Sequence, residues 1–243
     1  MRARSSSGGR ASSCTASNTS LKPAALAVLL ILCACADRPP EPTCPHDPAF
    51  DRSELISVRA DVRPTVLRRD LSLEELAAES GGAVGSGKPQ GLTEVEGRLS
   101  FHTLVNMETV GGRSCVWFDE VNVDLTPASI QIFVPREYGE NSCESMAVLE
   151  HEREHERAHR AHLAAAVEDV AAALSAARWL PSRGNPLEAG GDRAAAEAAL
   201  NAKIRKVVTP VYERYRESLK AAQADLDKPA LYEWVSKRCS GWK

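Results

Sequence analysis

The sequence predicts an α+β domain in which a small antiparallel sheet precedes two long antiparallel helices. Three observations carry this. Residues 55–134 contain stretches of alternating apolar and polar side chains punctuated by Gly and Pro, the period-two signature of strands. From about residue 141 the chain changes to long alanine-rich segments of helical character. A single breaker, "PSRGNPLEAGG", divides that second half into two helices. Strands followed by helices is the order of an α+β fold.

The first 34 residues read as a signal peptide. Arg2, Arg4, Arg10 and Lys22 precede the apolar run "PAALAVLLILCA", which is too short to span a bilayer but suits a signal sequence. It ends in Leu32-Cys33-Ala34-Cys35, which resembles a bacterial lipobox cleaved before Cys35. Cys35 is therefore the expected lipidation site, the alternatives being an ordinary signal peptide cut nearby or an uncleaved anchor. Residues 35–51, "CADRPPEPTCPHDPAFD", form a proline-rich tether. Residues 52–243 remain as one domain. A chain of 243 residues that is 43% hydrophobic can bury one good core.

Within that domain, "LISVRADV" (55–62) reads as a strand and "LSLEELAAES" (71–80) as a short helix stopped by Gly81-Gly82. A glycine-rich loop, "GGAVGSGKPQGL", leads to a hairpin of "EGRLSFHTLVNMETV" and "SCVWFDEVNVDL" turning at Gly111-Gly112. "SIQIFV" is a further strand ahead of Pro135. Asn141 with Glu144 resembles a capping box that opens a helix running toward Trp179. Asp192 caps the second helix, which Pro210 should kink or restart.

Four cysteines follow Cys35, namely Cys44, Cys115, Cys143 and Cys239, and none lies in a CxxC pair. In an exported protein they imply two disulfides rather than a tetrathiolate zinc site. Cys115 and Cys143 flank the last strands and the start of the first long helix and are expected to pair, leaving Cys44 for Cys239.

The segment "LEHEREHERAHRAHL" (149–163) concentrates four histidines, four glutamates and three arginines. It contains His151-Glu152-Arg153-Glu154-His155, which fits HExxH. Residues four apart on a helix are separated by about 6 Å and rotated by about 40°, so His151 and His155 project from one face. Such a pair can bind one Zn²⁺, with Glu152 aimed at a water beside the ion. The competing explanation is a solvated face laced by Glu150–Arg153, Glu154–Arg157 and Glu156–Arg160 pairs. That accounts for the charges but not for four histidines, which are mediocre helix formers. His159 continues the ladder, yet it lies about 12 Å along the axis from His151 and is turned by about 80°. No glycine breaks the helix to bring it round, so the third ligand is sought elsewhere. The candidates are Glu213, Glu217, Asp225, Asp227 and Glu233 in the C-terminal third, or His102 on the hairpin, with His159 kept as an alternative.

The order "GLTEVEGRLSFHTLV", "SCVWFDEVNVDL", a strand ending "FVP", a cysteine ahead of "HEREH", and a closing "LDKPALYEWVSKRCSGW" resembles a bacterial family. That family is a domain of unknown function described as predicted secreted zinc-dependent proteases. The resemblance covers residues 52–243, and HExxH is its specific element. It implies a zincin-like arrangement with zinc on His151 and His155 and Glu152 as the catalytic carboxylate. The family tends to carry an aspartate followed by a His-Gly pair near the C-terminus. Here Asp227 matches the aspartate, whereas Tyr232 and Glu233 stand where the histidine would be. Glu233 is therefore the first choice for third ligand, and Glu217, which an antiparallel partner helix would present, is the second.

Three functional readings follow. One is a zinc peptidase of the cell envelope acting on a peptide or protein substrate; the others are an inactive metal-binding relative and a structural lipoprotein. A formal net charge of −3 spread over mixed-sign helices gives no nucleic-acid surface. The membrane is reached through the lipid on Cys35, on the periplasmic side or at an outer membrane, since Ala36 rather than Asp follows it. Metabolic labelling with a fatty-acid probe should accordingly be lost in Cys35→Ala, and unchanged labelling would contradict the anchor.

Overall fold

The computed structural model describes residues 43–80, 90–240 and 242. The signal peptide, Cys35 and the tether as far as Pro42 lie outside these residues, as does the glycine-rich loop over 81–89. The elements in chain order are β1 (Ile56–Arg59), β2 (Val66–Arg68), α1 (Leu73–Glu79), β3 (Leu92–Val110), β4 (Arg113–Phe133), α2 (Cys143–Ala176), β5 (Leu187–Ala189), α3 (Arg193–Leu226) and α4 (Pro229–Lys237).

The sheet is larger than expected, and it is mixed rather than antiparallel. Its axis is β4, a single 21-residue strand that absorbs the segment "SIQIFV" up to Phe133. Along one edge β3 pairs antiparallel with β4 from Leu92↔Phe133 to Val110↔Arg113. The two are joined by Gly111 and Gly112 at φ 58° and 83°, the left-handed pair that a two-residue hairpin requires. Along the other edge three short strands follow one another. β5 is antiparallel at Ser114–Val116, while β1 and β2 are parallel at Val121–Asp124 and Gln131–Phe133. Alternation in a sequence marks a strand but not its direction, and the return from β2 to β4 runs through α1 and β3, a crossover long enough to permit parallel pairing.

Pro127 explains why β4 reads as two strands. Proline has no N–H to give to a ladder. The chain accommodates it at a bulge, where the register slips between Glu96↔Ser129 and Gly97↔Pro127. The position also falls in the gap between the stretches of β4 that β1 and β2 pair with.

Local signals set the helix starts. Ser72 and Glu75 make both bonds of a capping box ahead of α1. α2 begins one residue later than expected: Ser142, not Asn141, accepts from Ser145 N. Asp192 caps α3 through Ala195 N, and α3 continues through Pro210 as one 34-residue helix. At 34 residues each, α2 and α3 are about 50 Å long.

The helices cover the sheet through matched stripes. On α2 the buried positions include Ser145, Val148, Glu152, His155, His159, Leu163, Ala166, Val170 and Leu174, spaced three or four apart. The stripe begins in a small apolar cluster with Ile132, Val134 and Tyr138. From Leu163 onward it enters the main core with Phe118, Val121, Val123, Leu125, Leu200 and Ile204. Glu152, His155 and His159 occupy the stretch between the two.

The disulfides are Cys44–Cys115 and Cys143–Cys239, with Cα–Cα distances of 5.6 and 5.8 Å. The expected Cys115–Cys143 and Cys44–Cys239 pairs are therefore incorrect. The reason is the length of β4: Cys115 is near its start and Cys143 follows its end, and 18 residues of strand put about 60 Å of chain between Cys115 and Phe133. Cys44 instead holds the segment before β1 to the hairpin, and Asp47 N donates to Arg183 O, in the connection after α2, at 3.1 Å.

Peptide mapping without reduction should recover Cys44–Cys115 and Cys143–Cys239. A bridge spanning 71 residues should contribute about 4 kcal/mol in the chain-entropy model, lost in a Cys44→Ser/Cys115→Ser variant on denaturant unfolding. Recovery of a Cys115–Cys143 peptide would contradict the structure.

Candidate metal centre

The site is assembled where α2 and α3 run side by side. In α3 the buried positions Val208 and Val211 continue at four-residue steps through Tyr215, Leu219 and Gln223 to Asp227, the C-cap. Because the helices are antiparallel, falling numbers on α2 meet rising numbers on α3. His162 Nδ1 lies 3.1 Å from Ser218 Oγ, the His159 ring meets Tyr215 edge-on, and His155 reaches both Gln223 and Asp227.

Three ligand atoms converge. His155 Nε2 lies 3.1 Å from His151 Nε2 and 3.1 Å from Asp227 Oδ1, and His151 Nε2 lies 3.6 Å from the same oxygen. Ligands about 2.0–2.2 Å from a tetrahedral ion stand about 3.3 Å apart, so the triangle has the size of one face of such a polyhedron. This group can hold a metal ion.

Gln223 fixes the ring of His155. Its Nε2 donates to the His155 carbonyl at 3.2 Å, which turns its Oε1 toward His155 Nδ1. That oxygen can only accept, so Nδ1 carries the proton; in the neutral ring Nε2 then presents its lone pair to the other two groups, and in the charged ring it donates to Asp227. A ligating histidine held by a partner on its other nitrogen is the usual arrangement at metal sites. Burial lowers the His155 pKa, but the hydrogen bond to Asp227, the charge of Glu152 and the contact with Gln223 together raise it above its ordinary value. The Asp227 and Glu152 carboxylates thus place negative charge beside the imidazole. Asp227 adds to this from the C-terminal end of α3, where the helix dipole is negative.

Glu152 lies beside the triangle and is 3% exposed. Desolvation raises its pKa, against the opposing influence of His155, a hydrogen bond from Thr93, and His151; Asp227 adds to the rise. Thr93 Oγ1 stands 2.7 Å from Glu152 Oε2. Gly91 leaves the room: a Cβ there would fall 2.5 Å from Val148 Cγ1 and 2.7 Å from Glu152 Oε1. Beside Glu152 opens a cavity of about 270 Å³ lined by Gly91, Leu92, Thr93, Val95, His155, His159, Leu219, Gln223 and Asp227 among others.

The structure sorts the sequence candidates clearly. His151, Glu152 and His155 come together with Asp227. Glu233, the expected third ligand, sits on α4 with its carboxylate 3.1 Å from Lys237 Nζ and two-thirds exposed. Glu217 is exposed, Glu213 pairs with Arg216, Asp225 pairs with Lys228, and His102 is exposed on β3. His159 is buried but outside the converging group. Thr93, Gln223 and Gly91 were not anticipated. Only Gln223 left a trace in the sequence, one turn before Asp227 on the same face.

The charged-face reading of α2 also holds, on the far side of the helix for Glu154 and on the flank of the buried stripe for Glu156. Glu154 pairs with Arg157, and Glu156 pairs with Arg160 and Thr65; Glu150 turns to Arg238 rather than Arg153. Comparison of the chain with family models, with curated proteins and with solved structures finds no match.

Metal titration of variants should separate the candidates. Asp227→Ala should abolish tight binding, Gln223→Ala should weaken it about 10–100-fold through loss of ring orientation, and Glu233→Ala should bind as the parent does. Retention in Asp227→Ala with loss in Glu233→Ala would refute the assignment.

Proposed function

We propose that this protein is a zinc-dependent peptidase of the bacterial cell envelope, with His151, His155 and Asp227 as the metal ligands and Glu152 as the general base. The observation that carries the reading is the buried carboxylate of Glu152, which is not one of the three converging ligands yet stands beside them at the cavity. Three protein ligands that leave a coordination position open are the arrangement of catalytic rather than structural zinc, and a mixed imidazole–carboxylate set suits that ion. The resemblance to predicted secreted zinc proteases points the same way.

A zinc ion held there supplies Lewis acidity, polarising a carbonyl and making water more acidic. The chain's own groups handle the proton. Glu152 accepts one from the attacking water as its oxygen adds to the carbonyl carbon, and returns it to the nitrogen as the C–N bond breaks. A carboxyl product and an amine result. Thr93 orients the carboxylate through Oε2, and the apolar wall around it raises its basicity.

A peptide suits the cavity better than a compact small molecule. Residues 91–95 of the wall include the start of β3, and among the described residues no strand pairs with the outer edge of β3. An extended main chain can hydrogen-bond along such an edge. Two disulfides agree with an oxidising compartment outside the cytoplasm, and the Cys35 anchor would hold the enzyme at the membrane.

Zinc content and casein cleavage measured side by side should show an asymmetry among the glutamates. Glu152→Gln should keep zinc near full occupancy and lose turnover by about 10²–10⁴-fold or more, while Glu154→Ala and Glu156→Ala remain active. A parent that holds zinc but cleaves nothing would favour an inactive metal-binding lipoprotein.

A further inference from the structure

Three apolar side chains on the walls of the cavity beside Glu152 have no place in the core. Leu92 and Val95 come from the start of β3 and Leu219 from α3, and all three line the cavity. Each is only half-buried, and none belongs to either of the apolar clusters that the described residues form. On α3 the neighbours Glu217, Ser218 and Lys220 are polar and exposed, so Leu219 interrupts a solvated stretch. Packing does not account for a leucine there.

The charged groups of the cavity are already engaged. Glu152 takes a hydrogen bond from Thr93, and Asp227 belongs to the converging ligands. Neither is left to hold a basic side chain, and both repel an acidic one. Among the described residues that line the cavity there is no lysine or arginine to receive an acidic side chain either. What remains for an incoming side chain is the hydrocarbon of Leu92, Val95 and Leu219, in a space of about 270 Å³. An aliphatic group placed there removes its own surface and theirs from water.

We propose that Leu92, Val95 and Leu219 form a specificity pocket for an aliphatic side chain of the peptide, next to the bond that is cut, with Leu219 setting the preference. The proposal rests on the peptidase reading and narrows its substrate class. It explains why a leucine stands on α3 beyond the apolar core. Leu219, Gln223 and Asp227 follow one another at four-residue steps, so one face of α3 carries the pocket wall, the support of the His155 ring and a ligand.

Peptides N-acetyl-alanyl-alanyl-X-alanyl-alaninamide, with X as leucine, glycine, glutamate or lysine, test this in two readouts. One is kcat/KM of the zinc-loaded protein, and the other is calorimetric affinity for zinc-loaded Glu152→Gln, which binds without turnover. In both, the leucine peptide should exceed the glycine peptide about tenfold or more, with the charged peptides below it. Leu219→Lys, made in both backgrounds, should raise the glutamate peptide above the leucine peptide. Leu219→Ala should lower the leucine-over-glycine ratio, and it carries the test should the Lys variant not fold. Zinc content should match the parent throughout. A parent that treats leucine and glycine alike, or prefers a charged residue, overturns the proposal and leaves the peptidase reading intact. So does a preference for leucine that persists unchanged in the Leu219 variants. Loss of zinc in both Leu219 variants overturns it too, because a pocket residue is not a ligand. A zinc-loaded parent that neither binds nor cleaves any of these peptides overturns the peptidase reading and the pocket with it.

Discussion

Burying Glu152, His155 and His159 on one helical stripe is the constraint on which the rest of the structure depends. Each lies where a helix covering a sheet would ordinarily carry an apolar side chain, and an ionisable group there is costly unless it is partnered. α2 itself supplies one partner, His151 for His155, and the other partners lie elsewhere. They come from the start of β3, which delivers Thr93, and from the end of α3, which delivers Gln223 and Asp227. Three segments distant in sequence must therefore close on the middle of one helix. Apolar clusters on both sides hold them there.

This requirement gives meaning to the length of α3. Its fully buried apolar stripe runs as far as Val211, with Tyr212 and Tyr215 still packed against the same core. The helix continues for four more turns, and those turns carry the groups that His155 and His151 need. Asp227 is the C-cap, so the site depends on where the helix stops. Behind it α4 is held to the start of α2 by Cys143–Cys239 and by the pair of Arg238 with Glu150. The second disulfide thus clasps the end of the chain that follows Asp227 to the helix that carries both histidine ligands.

What could be read from the sequence follows the range of the interaction. His151, Glu152 and His155 were legible because helical spacing is local and brings them together whatever the fold. Asp227 stood among several carboxylates, and six residues separate it from Glu233. The break at Lys228–Pro229 decides between them by ending α3 at Asp227 and turning Glu233 toward Lys237 and solvent. The strands were legible and their directions were not, since β1 and β2 owe their parallel pairing to the path of the chain. The disulfides failed for a related reason: Pro127 reads as the end of a strand, and only the bulge opposite it shows that β4 runs on and carries Cys115 far from Cys143.

The glutamates of α2 show how the same residue type acquires different roles within one helical turn. Glu154 and Glu156 face arginines near the surface, where each is stabilised as an ion and does little else. Glu152 is on the buried face, where the wall of β3 removes water and a single hydroxyl holds one of its oxygens. Gly91 is the condition for this, because any side chain there would meet Val148 and the free oxygen of Glu152. The motif supplies a glutamate beside a histidine, but the absence of a side chain sixty-one residues earlier is what leaves that carboxylate space beside the cavity. Charge on one face of α2 and desolvation on the other thus come from one continuous helix, and the partners that each face meets divide the labour.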